Sequence, residues 1–345
     1  MIIIEGGVTL VPSVKFFADR IDKKYPFTFV DIGAMGGIPR KWDLLSEVMN
    51  IMAFEPDSRE FQKLKSVPRT TYFNYALYNR SQNLKFYLTK EAGKSSIYKP
   101  NADLLSFFED TDRFDVVKEE DLPSARVKSL DDIFVENNIP DVDFIKIDTQ
   151  GSELAILQGG HGKVLPQLFG LNVEMEFVEM YKGQPLFRDV DRYLYDNDFR
   201  LIDMRRYYWK RKDYYNYLGK GQLVLGDALY FKDIDVWLQD LKRSASKEYV
   251  SSKIYKGILI CMVYKTFDYA VSLAKAGLRD GYLPEESGDV ILKEIKDFSH
   301  RGAVYNFPGK YNLYRVFNFV CQQLKPPSYL GWADSDTMIA NIKDK

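Results

Sequence analysis

Asp31, Glu55, Asp148 and Glu174 are acids set in or just after short apolar runs, and Gly33 and Gly36 stand just beyond the first of them. The run Phe27-Thr-Phe-Val-Asp-Ile-Gly-Ala-Met-Gly-Gly37 reads as a buried parallel strand that breaks into a glycine-rich turn. Glycines let a backbone approach a ligand closely, and a helix start after them offers free N–H groups. Met52-Ala-Phe-Glu-Pro-Asp57 reads as the neighbouring strand, closing on Glu55. An acid about 20 residues beyond such a turn can accept both hydroxyls of a ribose. The pair therefore predicts a nucleoside-bearing ligand across the carboxyl ends of a parallel sheet.

The turn narrows the ligand. A dinucleotide site needs G-x-G-x-x-G, and Met35 occupies the place of its second glycine. Asp31 would also face a pyrophosphate unfavourably. An acid there suits a cationic amino-acid end instead. S-adenosylmethionine carries an ammonium and a sulfonium and no phosphate, so it fits Asp31 and the turn, with Glu55 on its ribose. The bland alternative is an ordinary strand–turn–helix with incidental acids.

These residues need a sheet to hold them. Strand-like runs recur at Thr70–Leu77, Asn83–Leu88, Val142–Asp148, Leu171–Phe177, Phe199–Asp203 and Gln222–Phe231. Helical segments at Asp57–Lys65, Ser129–Val135, Gly151–Leu157 and Val190–Asp196 alternate with the later runs. Ser129 reads as a helix cap with Asp132 at the capping-box position, and Gly159-Gly160 as a stop. The alternation predicts an α/β fold: a Rossmann-like, mostly parallel sheet covered on both faces, with its last strand antiparallel. Ligands of such sheets bind outside the carboxyl ends, where Asp31, Glu55, Asn74 and Asp148 fall. Thr89–Leu122 is weakly patterned and reads as a partly helical excursion over the ligand site. From about residue 235 the texture turns helical, at Val236–Leu241, Ile254–Leu278 and Val290–Phe298, and no strand pattern returns. Residues 1–234 are thus expected to form the S-adenosylmethionine-binding domain. Residues 235–345 are expected to form an α-helical C-terminal appendage that dimerises the protein, caps the substrate site or packs on the sheet.

Composition sets outer limits. With 46% hydrophobic and 28% charged residues the chain is globular, and a formal net charge of -1 gives no bulk attraction to nucleic acid. Cys261 and Cys321 make neither a metal-ligand spacing nor a disulfide framework, which fits a reducing compartment. Met1-Ile-Ile-Ile-Glu-Gly-Gly has no basic region and no long apolar one. The longest apolar run, Gly257–Tyr264, is far short of the roughly 20 residues that span a bilayer. A cytoplasmic location without a membrane span is expected, with peripheral membrane contact left open.

With Val30-Asp-Ile-Gly33, Phe54-Glu-Pro-Asp57 and Asp143-Phe-Ile-Lys-Ile-Asp-Thr-Gln-Gly-Ser-Glu-Leu-Ala-Ile-Leu-Gln-Gly-Gly160, the chain resembles the FkbM-type S-adenosylmethionine-dependent methyltransferases. Glu174–Phe187 and Phe199–Asp203 are similar to that family too, so the resemblance spans roughly residues 25 to 232. It implies methyl transfer to a hydroxyl oxygen, often on sugars of polysaccharides, glycolipids or natural products. Met35 and Gln150 depart from the Asn and Glu that the family commonly carries there.

Methyl transfer from a sulfonium is an in-line displacement, and much of its rate comes from positioning. An alcohol acceptor also gains from a base, or from a metal that lowers its pKa. Asp148, at a strand end beside the cofactor, and Glu174 rank first for acceptor contact. His161, one of 2 histidines, comes next as base. Glu153 reads as a helix-start acid. Glu174 and Glu176 share a strand face, where a divalent metal is the less favoured reading. The cofactor set is Asp31, Gly33, Gly36, Glu55, Asn74 and Asp148.

Met204-Arg-Arg-Tyr-Tyr-Trp-Lys-Arg-Lys-Asp-Tyr-Tyr215 reads as a basic-aromatic connection overhanging the substrate side. It suits sugar stacking, an acidic glycan, single-stranded nucleic acid or an anionic membrane, against the bland reading of a solvated hairpin. The expected partner is a carbohydrate or glycoside acceptor and no nucleic acid, with a homodimer through the helical region left open. Two competing functions stay on the page: an NAD(P)-dependent oxidoreductase, disfavoured by Met35, and a non-catalytic glycan-binding protein on the same fold.

Overall fold

Runs of β-branched and aromatic residues make the strands, and their alternation decides what each face buries. The structure is a computed structural model that describes residues 11–214, 217–301, 307–324 and 331–343. Met1–Gly7, Tyr215 and the Pro326-Pro327 pair lie outside the described residues. The strands are β1 (Phe27–Ile32), β2 (Met49–Phe54), β3 (Thr70–Phe73), β4 (Ala76–Leu77), β5 (Leu84–Thr89), β6 (Val116–Leu122) and β7 (Val127–Lys128). There follow β8 (Phe144–Ile147), β9 (Gly170–Glu176), β10 (Phe199–Trp209), β11 (Gln222–Lys232), β12 (Ala333–Ser335), β13 (Met338–Ile339) and β14 (Ile342–Lys343).

The main sheet has eight strands in the order β12-β10-β11-β9-β8-β1-β2-β3. From β3 to β9 neighbours run parallel, while β11 is antiparallel to both β9 and β10, and β12 to β10. The chain leaves β1 outward to β2 and β3, then returns to β8 on β1's other side. This places the switch point, where such sheets bind ligands, between β1 and β8.

Helices cover both faces. On one face Val30, Ile32, Ile145, Ile147, Leu171 and Val173 meet α4 (Leu130–Glu136), α5 (Glu153–Gln158), α6 (Val164–Gln167) and α7 (Phe187–Asp196). Ser129 Oγ accepts the Asp132 N–H at 3.1 Å, which caps α4 as expected. On the other face Phe27, Phe29, Phe144, Phe169 and Phe231 join residues of α1 (Pro12–Ala18), α8 (Ile234–Ser244), α9 (Lys247–Tyr264), α10 (Phe267–Arg279) and α11 (Gly288–Ser299) in one core. Each fully buried Ile or Leu there contributes roughly 1.5–3 kcal/mol. α9 is apolar nearly all round because it is enclosed nearly all round. A Cβ on its Gly257 would come within 2.6 Å of Leu273 Cδ2, so the glycine permits the close α9–α10 crossing.

Four buried charges join α9 to the base of β8. Lys253 Nζ lies 2.8 Å from Asp141 and 2.7 Å from Asp143, and Lys256 Nζ lies 2.6 Å and 3.2 Å from the same two acids. Asp143 also accepts the Thr28 N–H of β1 at 2.8 Å.

Some elements differ from expectation. The helix at Asp57–Lys65 is the single turn α2 (Ser58–Phe61). In the excursion α3 (Ala102–Leu105) is helical, but the acid-rich stretch ends in β6, which pairs with β5. In β6 Leu122 is buried and Val116 and Glu120 are half-buried, while Val117, Lys118, Glu119 and Asp121 face water. Met204–Trp209 belong to β10 rather than to a loop. Strands do return after residue 235, as β12 on the sheet edge and the β13–β14 pair, and α12 (Lys310–Leu324) is a further helix. Among the described residues no helix is long and apolar enough to cross a membrane.

Candidate active site

The carboxyl ends of β1, β2 and β8 open on a cleft of about 760 Å³, counting the solvent at its mouth. Gly33, Met35, Glu55, Asp57, Asp148 and Gln150 line it, and Ala92, Gly93, Ser95 and Ile97 of the excursion form its far wall. The excursion therefore covers the site, as its position in the sequence suggests.

Gly33 sets the floor. Its φ is +79°, and a Cβ there would stand 1.9 Å from the Asp148 carbonyl oxygen. Only glycine allows the β1 turn to touch the end of β8. Gly33→Ala is expected to cost at least about 2 kcal/mol, through the clash and the left-handed backbone. Urea unfolding checks it, and an unchanged midpoint would refute the contact. Gly36, with φ +81°, shapes the turn but does not line the cleft.

Asp31 is fully buried, and neither carboxylate oxygen has a hydrogen-bond partner. Lys146 Nζ stands 3.4 Å from one oxygen and 3.5 Å from Asp148. Burial raises the Asp31 pKa against the pull of Lys146. Asp31 does not line the cleft, so its charge would reach a cationic ligand through space and not by direct contact.

Glu55 is buried at the end of β2, where one carboxylate oxygen accepts the Asp57 N–H at 2.9 Å. Burial pushes its pKa up to about 7. Asn74 does not line the cleft. Its Nδ2 donates to the carbonyl of Glu55 at 2.7 Å and of Pro56 at 3.3 Å, while Arg126 donates to its Oδ1 at 2.7 Å. Asn74 and Arg126 thus hold the Glu55-Pro56-Asp57 turn in place. Asp57 caps α2 and receives Arg59, which in turn reaches Ser95 Oγ at 3.1 Å. Arg126 and Arg59 carried no motif that the sequence could flag.

Asp148, partly open to the cleft, and buried Glu174 meet through Gln150. Gln150 Nε2 donates to Asp148 Oδ1 at 3.2 Å and makes a short contact to Glu174 Oε2. Its Oε1 accepts from the Tyr181 hydroxyl at 2.8 Å. Gln150 holds a left-handed φ of +60°, so the β8–α5 turn presents it inward. Burial would raise the Asp148 carboxyl, but Lys146 and then Lys94 hold it below the usual range. Burial and the neighbouring Asp148 push Glu174 well above it. One proton shared by two carboxyls is the expected state. Glu174 lies in register with Asp227, and Asp227 with Arg205, while the Tyr207 hydroxyl donates to Asp227 at 2.7 Å. A polar row thus runs from the cleft across β9, β11 and β10.

Two other acids and the histidine fall outside this pairing. Glu153 accepts from Thr149 N–H and hydroxyl at 2.9 and 2.8 Å, which fixes the turn that starts α5. Burial, then Glu153 and Asp148, raise Glu176 well above the carboxylate range. His161 is exposed beyond the C-terminal end of α5, does not line the cleft and contacts the Tyr193 hydroxyl of α7 at 3.2 Å. The cleft lies at the opposite end of α5, so His161 does not fit the role of base. Among the described residues no three His, Cys, Asp or Glu could hold a metal ion together.

The family profile described as "Methyltransferase FkbM domain" matches residues 31–201, from the buried acid of β1 into β10. Residues 31–201 are a methyltransferase FkbM domain. No curated protein matches the sequence. Among solved structures the chain is similar to a precorrin-6y C5,15-methyltransferase from Geobacter metallireducens, at 11% identity over 64% of this chain and 88% of that one, with a TM-score of 0.28. It is also similar to M. capricolum TrmK in complex with S-adenosyl-homocysteine, at 10% identity over 84% and 97% of the two chains, with a TM-score of 0.27. Likenesses this distant carry no weight beside the family and the geometry. An FkbM domain takes its methyl group from S-adenosylmethionine, and the residues present fit that cofactor. The Gly33 contact that no side chain could occupy and Glu55 in the cleft wall would hold it, while Asp31, fully buried and outside the lining, would act only through its charge.

Proposed function

We propose that the protein is an S-adenosylmethionine-dependent O-methyltransferase whose acceptor is a sugar hydroxyl of a surface polysaccharide, glycolipid or related glycoside. The observation that carries this reading is the Asp148–Gln150–Glu174 group at the cleft edge, where Gln150 bridges a carboxyl whose pKa is held down and one whose pKa is pushed up. A hydroxyl must lose its proton as its oxygen becomes an ether, and a poised carboxylate beside the cleft can take it. An amine acceptor that is already neutral needs no such group. When bound, S-adenosylmethionine would supply an electrophilic methyl group.

The chain's own residues do the rest. Glu55 accepts hydroxyls in the cleft wall, Asp31 adds negative charge from its buried position beside Lys146, and Met35 with the excursion around Gly93 limits water. Asp148 orients the acceptor hydroxyl and receives its proton, while Gln150 ties the pair together. Arg205, Tyr207 and Asp227 extend the polar row and support a polyol acceptor. The test is mass spectrometry of surface glycans from cells with and without the protein. A glycan lighter by one methyl group in its absence is expected. An unaltered glycan profile, with methylation found on another class of molecule, would sink the sugar assignment.

Cofactor affinity should depend on pH through Glu55. The ionised carboxyl is the better acceptor for hydroxyls, and its pKa is about 7 in the folded protein. Affinity is therefore expected to rise from pH 6 to 8 and then level off. Glu55→Gln should remove the step and weaken binding by about 1.5–3 kcal/mol. Calorimetric titration with S-adenosylmethionine across this range checks both, and a flat wild-type profile would exclude Glu55. Stability of the free protein follows the other sign. The folded pKa is raised from an unfolded value of 4.5, so this group's contribution is fully present below 4.5 and is lost as pH rises through about 7.

A further inference from the structure

The methyltransferase reading leaves α12 without a role. Every described side chain from Tyr311 to Cys321 is exposed, and Leu324 with them. With about 3.6 residues per turn, Leu313, Val316, Phe317, Val320 and Leu324 fall on one face, with Tyr314 at its edge. Asn312, Arg315 and Asn318 fall on the other, interrupted by Tyr311 and Phe319. An uncovered apolar face of this size marks a contact surface.

Charge decides what it contacts. From Ser299 to Ala333 the sequence holds Arg301, Lys310, Arg315 and Lys325 and no Asp or Glu. A second copy on the same face would set cation against cation, with no acid in the segment to pair them. An anionic bilayer complements them, and its interface accepts the aromatic and aliphatic side chains.

A second surface of the same chemistry lies on the sheet domain. Tyr214, Tyr217 and Leu218 stand out at the tip of the β10–β11 hairpin, at 64%, 70% and 71% exposure. Arg211, Lys212 and Lys220 flank them, and Asp213 is the one acid between Trp209 and Gln222. After α12 the chain returns in β12, which pairs with Tyr207–Trp209 below that tip. Trp332 packs edge-on against Trp209, and the Arg113 guanidinium lies over both rings. β10 runs in the same direction as β1 and β8, so the hairpin tip and the β12 pairing lie at the cofactor end of the sheet.

We propose that α12 and the β10–β11 hairpin tip form one docking surface for an anionic lipid bilayer. The apolar face of α12 and the tyrosines enter the interface, and Lys310, Arg315, Lys212 and Lys220 meet headgroup phosphates. The proposal stands whether or not the methyl acceptor is a sugar.

Co-sedimentation of the full-length protein with phosphatidylcholine vesicles, with and without phosphatidylserine, tests it. The protein is expected to bind the phosphatidylserine vesicles only, and added salt should release it. The double variant Phe317→Glu, Leu324→Glu should bind them at least tenfold more weakly, roughly what exposing one large apolar side chain implies. An unchanged melting temperature and unchanged S-adenosylmethionine affinity show that the variant is folded. Absence of wild-type binding overturns the proposal, and so does a variant that binds as well as wild type. A wild-type dimer in sedimentation velocity that the variant dissolves, without vesicle binding, gives the face to a second copy and also overturns it.

Discussion

Replacing Lys253 by methionine is expected to remove about 3–5 kcal/mol of folding stability. Lys253 is fully buried, and its ammonium is shared between Asp141, Asp143 and the Val142 carbonyl at 2.7–2.8 Å. Without it two buried carboxylates face Lys256 alone, and one negative charge loses its partner away from water. The stem methylenes would be kept by methionine, so packing changes little and the loss is electrostatic. A domain with 5–15 kcal/mol in total would be left marginal. The charge-balanced pair Lys253→Met, Asp141→Asn should recover part of the loss. Urea unfolding of the three proteins decides it, and a single-variant loss under about 1 kcal/mol would show that the cluster is not a structural clamp. Acid should act on the same clamp. Burial would raise Asp143, but Lys253 and Lys256 hold it below its usual 3.8. Its contribution is therefore present above the unfolded pKa and is lost as pH falls through the folded one.

This clamp also shows what the sequence could not display. Asp141 and Asp143 flank a strand start, and Lys253 and Lys256 sit in a helix about 110 residues later. Nothing local marks four charges as partners, because pairing depends on how α9 crosses the sheet. The helical region was legible as helix, and packing on the sheet was one of three roles left open to it. By contrast Asp31, Gly33 and Glu55 were legible because one strand–turn–strand unit makes them neighbours. Asn74 shows the limit of that logic. Its place at a strand end was read correctly, yet its amide holds the Glu55 turn instead of lining the cleft. His161 fails for a similar reason: closeness in sequence to Gly160 put it at the wrong end of α5. β12 is three residues long and has no apolar alternation, so only the tertiary pairing with β10 reveals it. Gln150 stood out as a departure from the family pattern, but its bridge from Asp148 to Glu174 depends on β9 lying beside β8.

The largest expected effect on activity belongs to Asp148. On the proposed reading it is the ionised member of the pair and the one open to the cleft, so Asp148→Asn should lower kcat by about 10²–10⁴. Glu174→Gln should behave differently. Burial and Asp148 push the Glu174 pKa well above the carboxylate range, which favours its protonated form, and glutamine is nearly isosteric with that form. The exchange removes a proton that was not being given up, so a loss under about tenfold is expected. The pH profile separates them further. The acid limb of kcat follows Asp148, so it should persist in Glu174→Gln and be lost in Asp148→Asn. Cofactor affinity, measured by calorimetry, should change little in Glu174→Gln, because Glu174 does not line the cleft. In Asp148→Asn a modest loss of affinity is expected beside the much larger fall in kcat. The reverse ranking, with Glu174→Gln inactive and Asp148→Asn active, would exchange the two roles. Equal and wild-type-like activity of both variants would remove general-base chemistry from this group and leave positioning as the source of rate.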